Sequence, residues 1–176
     1  FRTSFSTLVS AEVDRLNSII DQINDFAHPP SLKFHQVDLR DPVKLSVDLA
    51  LPQGARDGLK VETRVPADLP HVWGDDRALA DCFAHLVRNS AEALVGRADG
   101  AIQVEAVRTG SPSGNIQVSV RDNGPGIPDS LRDKIFSPFC TTKPRGMGLG
   151  LPIVKRTVVD HNGRVDVKTG KEGTTV

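Results

Sequence analysis

The first apolar positions of the chain fall at Phe5, Val9, Val13, Leu16, Ile20, Ile23 and Ala27, in steps of four and three. That spacing keeps one face of an α-helix apolar, because side chains three and four apart share a face. Ile19 and Phe26 widen the stripe, and Glu12, Asp14, Arg15, Asp21, Gln22 and Asp25 take the opposite side. Alone, such a helix leaves its stripe uncovered, so the pattern predicts one helix of a bundle or coiled coil. His28-Pro29-Pro30 ends it, since proline lacks the amide donor and restricts the residue before it. A boundary near residue 30 divides the chain into segments 1–30 and 31–176.

Past the boundary the period changes repeatedly. Gln36 to Leu39 reads as a short strand, and Asp41-Pro42 as the start of a helix to about Ala55. Leu59 to Val65 alternates as a strand does. Asp75 can cap a helix running to about Val95, with Leu79, Phe83, Leu86, Val87, Ala91 and Leu94 on its buried side. Two alternating runs, Ile102 to Arg108 and Ile116 to Val120, flank the turn-forming stretch Thr109 to Asn115 and predict a hairpin. A short helix over 129–135, a loop over 136–146, a helix over 148–161 and a strand over Val165 to Lys168 complete the pattern, with a final strand beginning near Gly173. Helices and strands that segregate around a hairpin predict an α+β two-layer sandwich rather than a doubly wound sheet.

Composition narrows the function classes. The 176 residues hold 22 basic and 22 acidic side chains, so no overall field draws nucleic acid or anionic lipid, and any phosphate binding must be local. Cys82 and Cys140 lack a metal-ligand spacing and are expected to be free thiols in a reducing, cytoplasmic compartment. No run approaches the roughly 18 apolar residues of a membrane span, so no membrane contact is expected of this segment.

Three patches carry the candidate chemistry: Asn89 on the long helix, Asp122-x-Gly124-x-Gly126-Ile127 after a strand, and Gly146-x-Gly148-Leu149-Gly150 opening a helix. Glycine serves where backbone takes positive φ or approaches another group closely, and backbone amides at a helix start attract anions. A nucleotide presents what such a site binds.

In this order, the patches closely resemble the nucleotide-binding domain of bacterial sensor histidine kinases. His85-Leu86-Val87-Arg88-Asn89-Ser90-Ala91-Glu92-Ala93 is similar to the family's asparagine box, Phe136-Ser137-Pro138-Phe139 to its phenylalanine box, and Thr141-Thr142-Lys143 to the segment before the second glycine box, in the form of kinases related to the nitrogen-regulation sensor. The resemblance implies a Bergerat-type ATP-binding fold with a mixed sheet, and ATP and Mg2+ as cofactors. It also implies that segment 1–30 is the second helix of a hairpin serving dimerisation and histidine phosphotransfer, giving a homodimer that signals to the receiver domain of a response regulator. Asp122 would accept a hydrogen bond from the adenine amine and so disfavour guanine. Gly124 and Gly126 would shape the turn beneath the purine, and Asn89 would offer magnesium a hard oxygen. Gly146, Gly148, Leu149 and Gly150 would hold phosphates, and Thr142 and Lys143 would lie in a lid whose lysine reaches the terminal phosphate.

Departures from the family pattern shape the expectation. None of the five histidines stands in a phosphoacceptor box of the form His-Glu-x-x-Asn-Pro, so the acceptor is expected upstream of Phe1. His85 stands one turn before Asn89, where related ATPases carry a glutamate base; this favours phosphoryl transfer over hydrolysis, although a histidine also acts as a base near neutral pH. Glu92 replaces a common lysine and either faces the outer magnesium shell or points to solvent. The leading expectation is ATP-dependent phosphorylation of a histidine outside this segment. The alternatives are a superfamily ATPase and a catalytically silent ATP-binding and dimerisation module.

Overall fold

The structure is a computed structural model that describes residues 31–52, 58–110, 114–143 and 146–176, together with positions 9, 13, 20, 23, 24 and 27. Those six positions are helical and exposed; the rest of the predicted stripe, and the Pro29-Pro30 break, lie outside the described residues.

A two-stranded antiparallel ribbon pairs β1 (His35–Val37) with β3 (Val72–Gly74). The main sheet contains β2 (Lys60–Arg64), β4 (Ala101–Thr109), β5 (Asn115–Asp122), β6 (Lys168–Gly170) and β7 (Gly173–Thr175) in the order β2-β4-β5-β7-β6. Among the described residues β2 and β4 pair parallel and the other neighbours antiparallel, so the sheet is mixed. Within residues 31–176 the described α-helices are α1 (Arg40–Ala50), α2 (Asp76–Ala93) and α3 (Gly150–Asp160). α2 packs on β4 and β5 and is flanked by α1 and α3, which makes the two-layer α+β sandwich that the pattern predicts.

Alternation along β4 sends Ile102, Val104 and Ala106 into the core. On β5 the same parity buries Val120 and then Asp122, so the strand's last inward position is a carboxylate facing α2. Leu79, Phe83, Leu86, Val87 and Leu94 of α2 and its C-cap fill the space above, joined by Val43 of α1 and Val154 of α3. The face of α2 turned from this stripe carries His85, Asn89 and Glu92, which line a cleft.

Four local expectations are corrected. α1 stops at Ala50, where Leu51 leaves helical geometry (φ −130°) and caps back to Val47, rather than near Ala55. The strand expected at Gln36 to Leu39 forms at His35–Val37, and β3 carries no expectation, because Val-Trp-Gly is too short to show a period. The strand expected at Val165 to Lys168 forms at Lys168–Gly170, where residues 170 and 173 can close a hairpin with β7. α3 begins at Gly150, two residues late, because Gly148 holds a left-handed φ of +68°. Residues 129–134 form a 3-10 helix, and the hairpin strands extend through Thr109 and Asn115.

Candidate functional site

A cleft of about 530 Å³ opens between α2, the end of β5, the start of α3 and the loop before it. That is within the range of small-molecule and cofactor sites. Asn89, Asp122, Gly126, Ile127, Thr142, Lys143, Gly146, Gly148 and Gly150 all line it, so residues spread over more than sixty positions of sequence meet in one cavity. Gly124 and Leu149 do not line it: both are buried, Leu149 at 1% exposure as the N-cap of α3.

Asp122, 6% exposed, sits at one end. Its Oδ1 accepts from the amides of Gly124 (2.8 Å) and Thr174 (3.2 Å), and its Oδ2 accepts from the Ser90 hydroxyl (3.1 Å). A carboxylate has about four lone-pair positions, so one on Oδ2 remains for a donor in the cleft. Ser90 is a site residue that the sequence reading missed. Its signal is a small polar residue four after Leu86 and three after Val87, inside the apolar stripe, where a buried hydroxyl needs a partner. Thr174 and Thr169 carry no comparable signal, because each bonds to a distant segment: Thr174 N donates to Asp122 Oδ1, and Thr169 Oγ1 accepts from Ile127 N at 2.7 Å.

The glycines of the first box answer to the protein's own packing. A Cβ on Gly126 (φ +79°) would lie 2.1 Å from the Gly170 carbonyl oxygen, and one on Gly124 would lie 2.8 Å from Asp122 Oδ1. Asn123 braces the turn: its Oδ1 accepts from Ala101 N and its Nδ2 donates to Asp99 O, both at 2.8 Å.

Across the cleft, α3 starts without a side-chain cap, and Gly150 and Leu151 of its first turn line the cavity. First-turn amides have no intrahelical acceptor, and Pro152 has no amide to satisfy, so this end presents donors and the positive end of the helix dipole to the cleft. The loop reaches it by a tight crossing in which Phe139 (φ 65°) donates from its amide to Gly148 O at 3.1 Å. A Cβ on Gly148 would lie 2.7 Å from Cys140 N and O, which explains a glycine there. Lys155 stands 5.7 Å over the Phe136 ring and ties α3 to the loop's beginning.

Between these ends, Lys143 Nζ donates to Asn89 Oδ1 at 2.9 Å and to Glu92 Oε2. Glu92 therefore faces the cleft's cation. His85 is half-buried beside Gly150, and burial, with Arg88 adding a smaller like-charge effect, lowers its pKa to about 4. Burial pushes the Cys82 thiol up to about 12, and both cysteines are free. Among the described residues no cluster of His, Cys, Asp or Glu has metal-holding geometry, and no helix is long and apolar enough to cross a membrane.

Residues 74–176 match the family described as histidine kinase-, DNA gyrase B-, and HSP90-like ATPase, and the chain belongs to that family. It is 33% identical over 164 residues to the C4-dicarboxylate transport sensor protein DctB of Rhizobium meliloti (strain 1021), covering 92% of this chain and 26% of that protein. It is 31% identical over 183 residues to the sensory histidine kinase/phosphatase NtrB of Rhizobium leguminosarum bv. phaseoli, covering 98% of this chain and 48% of that protein. The chain thus spans between 26% and 48% of the length of these relatives. Full-length ShkA in complex with AMPPNP superposes with a TM-score of 0.79 at 25% identity, over 98% of this chain and 36% of that one. Histidine kinase ThkA in complex with response regulator protein TrrA shares the fold, with a TM-score of 0.74 at 24% identity over 97% of this chain and 48% of that one. NtrB and ThkA are named as histidine kinases, the family that the asparagine and glycine boxes resemble.

Proposed function

We propose that this chain binds Mg-ATP in the cleft and passes the γ-phosphoryl group to a histidine outside the segment, as the catalytic part of a sensor kinase. The observation that carries the reading is the buried Asp122 carboxylate, held by Ser90, Gly124 and Thr174 with an acceptor position left over, in a cleft that the start of α3 also lines. Asp122 takes the adenine amine, and Val120, Ile127 and Ile135 give the base apolar walls. The amides at Gly150 and Leu151 take the phosphates, and Lys143 neutralises charge on the terminal one.

Magnesium fits the donors present. Asn89 Oδ1 is a hard, neutral oxygen already engaged with a cation, and a carboxylate stands beside it. Asn89 would hold the ion, which would supply positive charge to offset that of the phosphates. The chain's own contribution is to orient the nucleotide and exclude water, since phosphoryl transfer asks mainly for position and charge stabilisation. A neutral imidazole acceptor is itself a nucleophile and needs no strong base. His85, with its pKa near 4, is a weak base at neutral pH, which supports transfer over hydrolysis.

The likeness to sensor kinases supports a response-regulator receiver domain as the onward partner, and the apolar helical positions Val9, Val13, Ile20 and Ile23 support pairing of two chains through segment 1–30. Residues 31–176 then form the ATP-binding domain. Asp122→Asn tests the site directly: it places an amide donor against donors, and Mg-ATP affinity measured by calorimetry should fall by roughly 30-fold or more. Unchanged affinity removes the adenine assignment. Mixing the chain with a separate protein that carries a phosphoacceptor hairpin helix should yield acid-labile phosphate on that partner. Free phosphate alone would favour an ATPase, and neither product a silent binding module.

A further inference from the structure

The contact between Lys143 and α2 reaches beyond the assignment of a phosphate-binding lysine. Asn89 and Glu92 are three apart on α2, so their side chains share a face and their oxygens meet one point of the cleft. The Lys143 ammonium fills that point, drawn from 54 positions away in sequence from Asn89 and 51 from Glu92. Its loop is shaped for this: Lys143 N donates to Thr141 Oγ1 at 3.0 Å, and Gly146 N donates to Lys143 O at 3.1 Å. A Cβ on Gly146 would lie 2.9 Å from Thr141 Oγ1 and 3.1 Å from Lys143 Cβ, so the absent side chain leaves room for the lysine to lie across.

A neutral oxygen and an anionic oxygen converging on one cation also suit a divalent ion. An ammonium and a divalent ion cannot both occupy the point, because like charges at such separation repel and Asn89 Oδ1 would be shared. We propose that Glu92 is the resting partner of Lys143, so that the ammonium holds the point between Asn89 and Glu92 and is displaced toward the phosphates when a magnesium nucleotide enters. Glu92 is then a positioning residue: it sets how much of the chain is open to metal and nucleotide, and where Lys143 waits. The inference rests on the Mg-nucleotide reading of the cleft and gives Glu92, which that reading only notes beside Asn89, a role toward Lys143.

The expected effects are small, because the side chains of Lys143 and Glu92 are 36% and 46% exposed and such pairs are weak. In the nucleotide-free chain, acylation of Lys143 by an amine-reactive reagent, followed by peptide mass spectrometry, should run about two- to five-fold faster in Glu92→Gln than in the wild type. Glu92→Asp, which keeps the charge on a shorter arm, should fall between them. Mg-ADP is the second probe, since it lacks the terminal phosphate that Lys143 would contact. Glu92→Gln should tighten Mg-ADP by about two- to five-fold, Lys143→Ala by a similar factor, and the double variant by no more than either, because only the competent fraction binds. Equal labelling of the wild type and Glu92→Gln overturns the proposal, as does weaker Mg-ADP binding by Glu92→Gln, which would make Glu92 a servant of the metal. A wild-type chain that binds no Mg-nucleotide removes the reading of the cleft, while the labelling comparison still decides the Glu92–Lys143 pairing.

Discussion

At the scale of single residues, the fold decides the ionic state of His85 in the cleft: burial beside Gly150 lowers its pKa to about 4, whereas an unfolded histidine titrates near 6.5. Between those values the unfolded chain takes a proton that the native imidazole refuses. Stability from this group is therefore complete above about pH 6.5 and drains away as pH falls toward 4. Going from pH 7 to pH 5 should cost on the order of 2 kcal/mol through His85. In His85→Gln that part of the acid loss should vanish, so urea denaturation at the two pH values should show a smaller drop than in the wild type. Equal drops would mean that His85 is not held neutral. The same neutrality leaves the imidazole poorly suited to activate water, which connects a stability measurement to the choice between transfer and hydrolysis.

The elements show why part of the site is legible in sequence and part is not. Asn89, Asp122 and the two glycine boxes are visible because each depends on residue type at a fixed local spacing, and the 3.6-residue stripe of α2 fixes which face Asn89 takes. The partners that hold them are non-local: Thr174 N to Asp122 and Thr169 to Ile127 join segments 52 and 42 residues apart. The misplaced β6 has the same origin, since Val165 and Val167 alternate as well as any strand but hairpin closure with β7 selects Lys168–Gly170. Capping of α2 lies between these extremes. Asp75 is legible as an N-cap, and its Oδ1 accepts from Ala78 N at 2.8 Å; unforeseen is that its Oδ2 accepts from Lys33 N at 2.7 Å, while its own amide donates to His161 Nε2 at 3.0 Å. One carboxylate thus fastens the start of the cleft-lining helix to the chain before β1, next to the C-cap of α3. Asp75→Ala removes two acceptors at once and should cost about 2–3 kcal/mol by chemical denaturation, more than an ordinary cap. A loss under about 0.5 kcal/mol would show that water replaces both bonds.

Over the whole molecule, the cleft and the exposed apolar helical positions lie in different parts of the chain and call on different physics. The cleft is assembled from α2, β5, α3 and the loop between them, all within 31–176, and its contacts are directional hydrogen bonds. The helical positions Val9, Val13, Ile20 and Ile23 are between 46% and 56% exposed and spaced by four, seven and three, a seam of bulky apolar groups facing water. Burial of such a seam against a second copy is driven by area and tolerates no charge at its centre. Ile20→Asp should therefore weaken dimerisation by about tenfold or more in analytical ultracentrifugation, since each copy would bring a carboxylate into the seam. Mg-ATP affinity should stay within about twofold of wild type, because Ile20 does not line the cleft. If the substitution leaves the oligomeric state unchanged, the seam serves something other than pairing of two copies. If it lowers nucleotide affinity as well, the separation of the two functions fails and the helix must bear on the cleft.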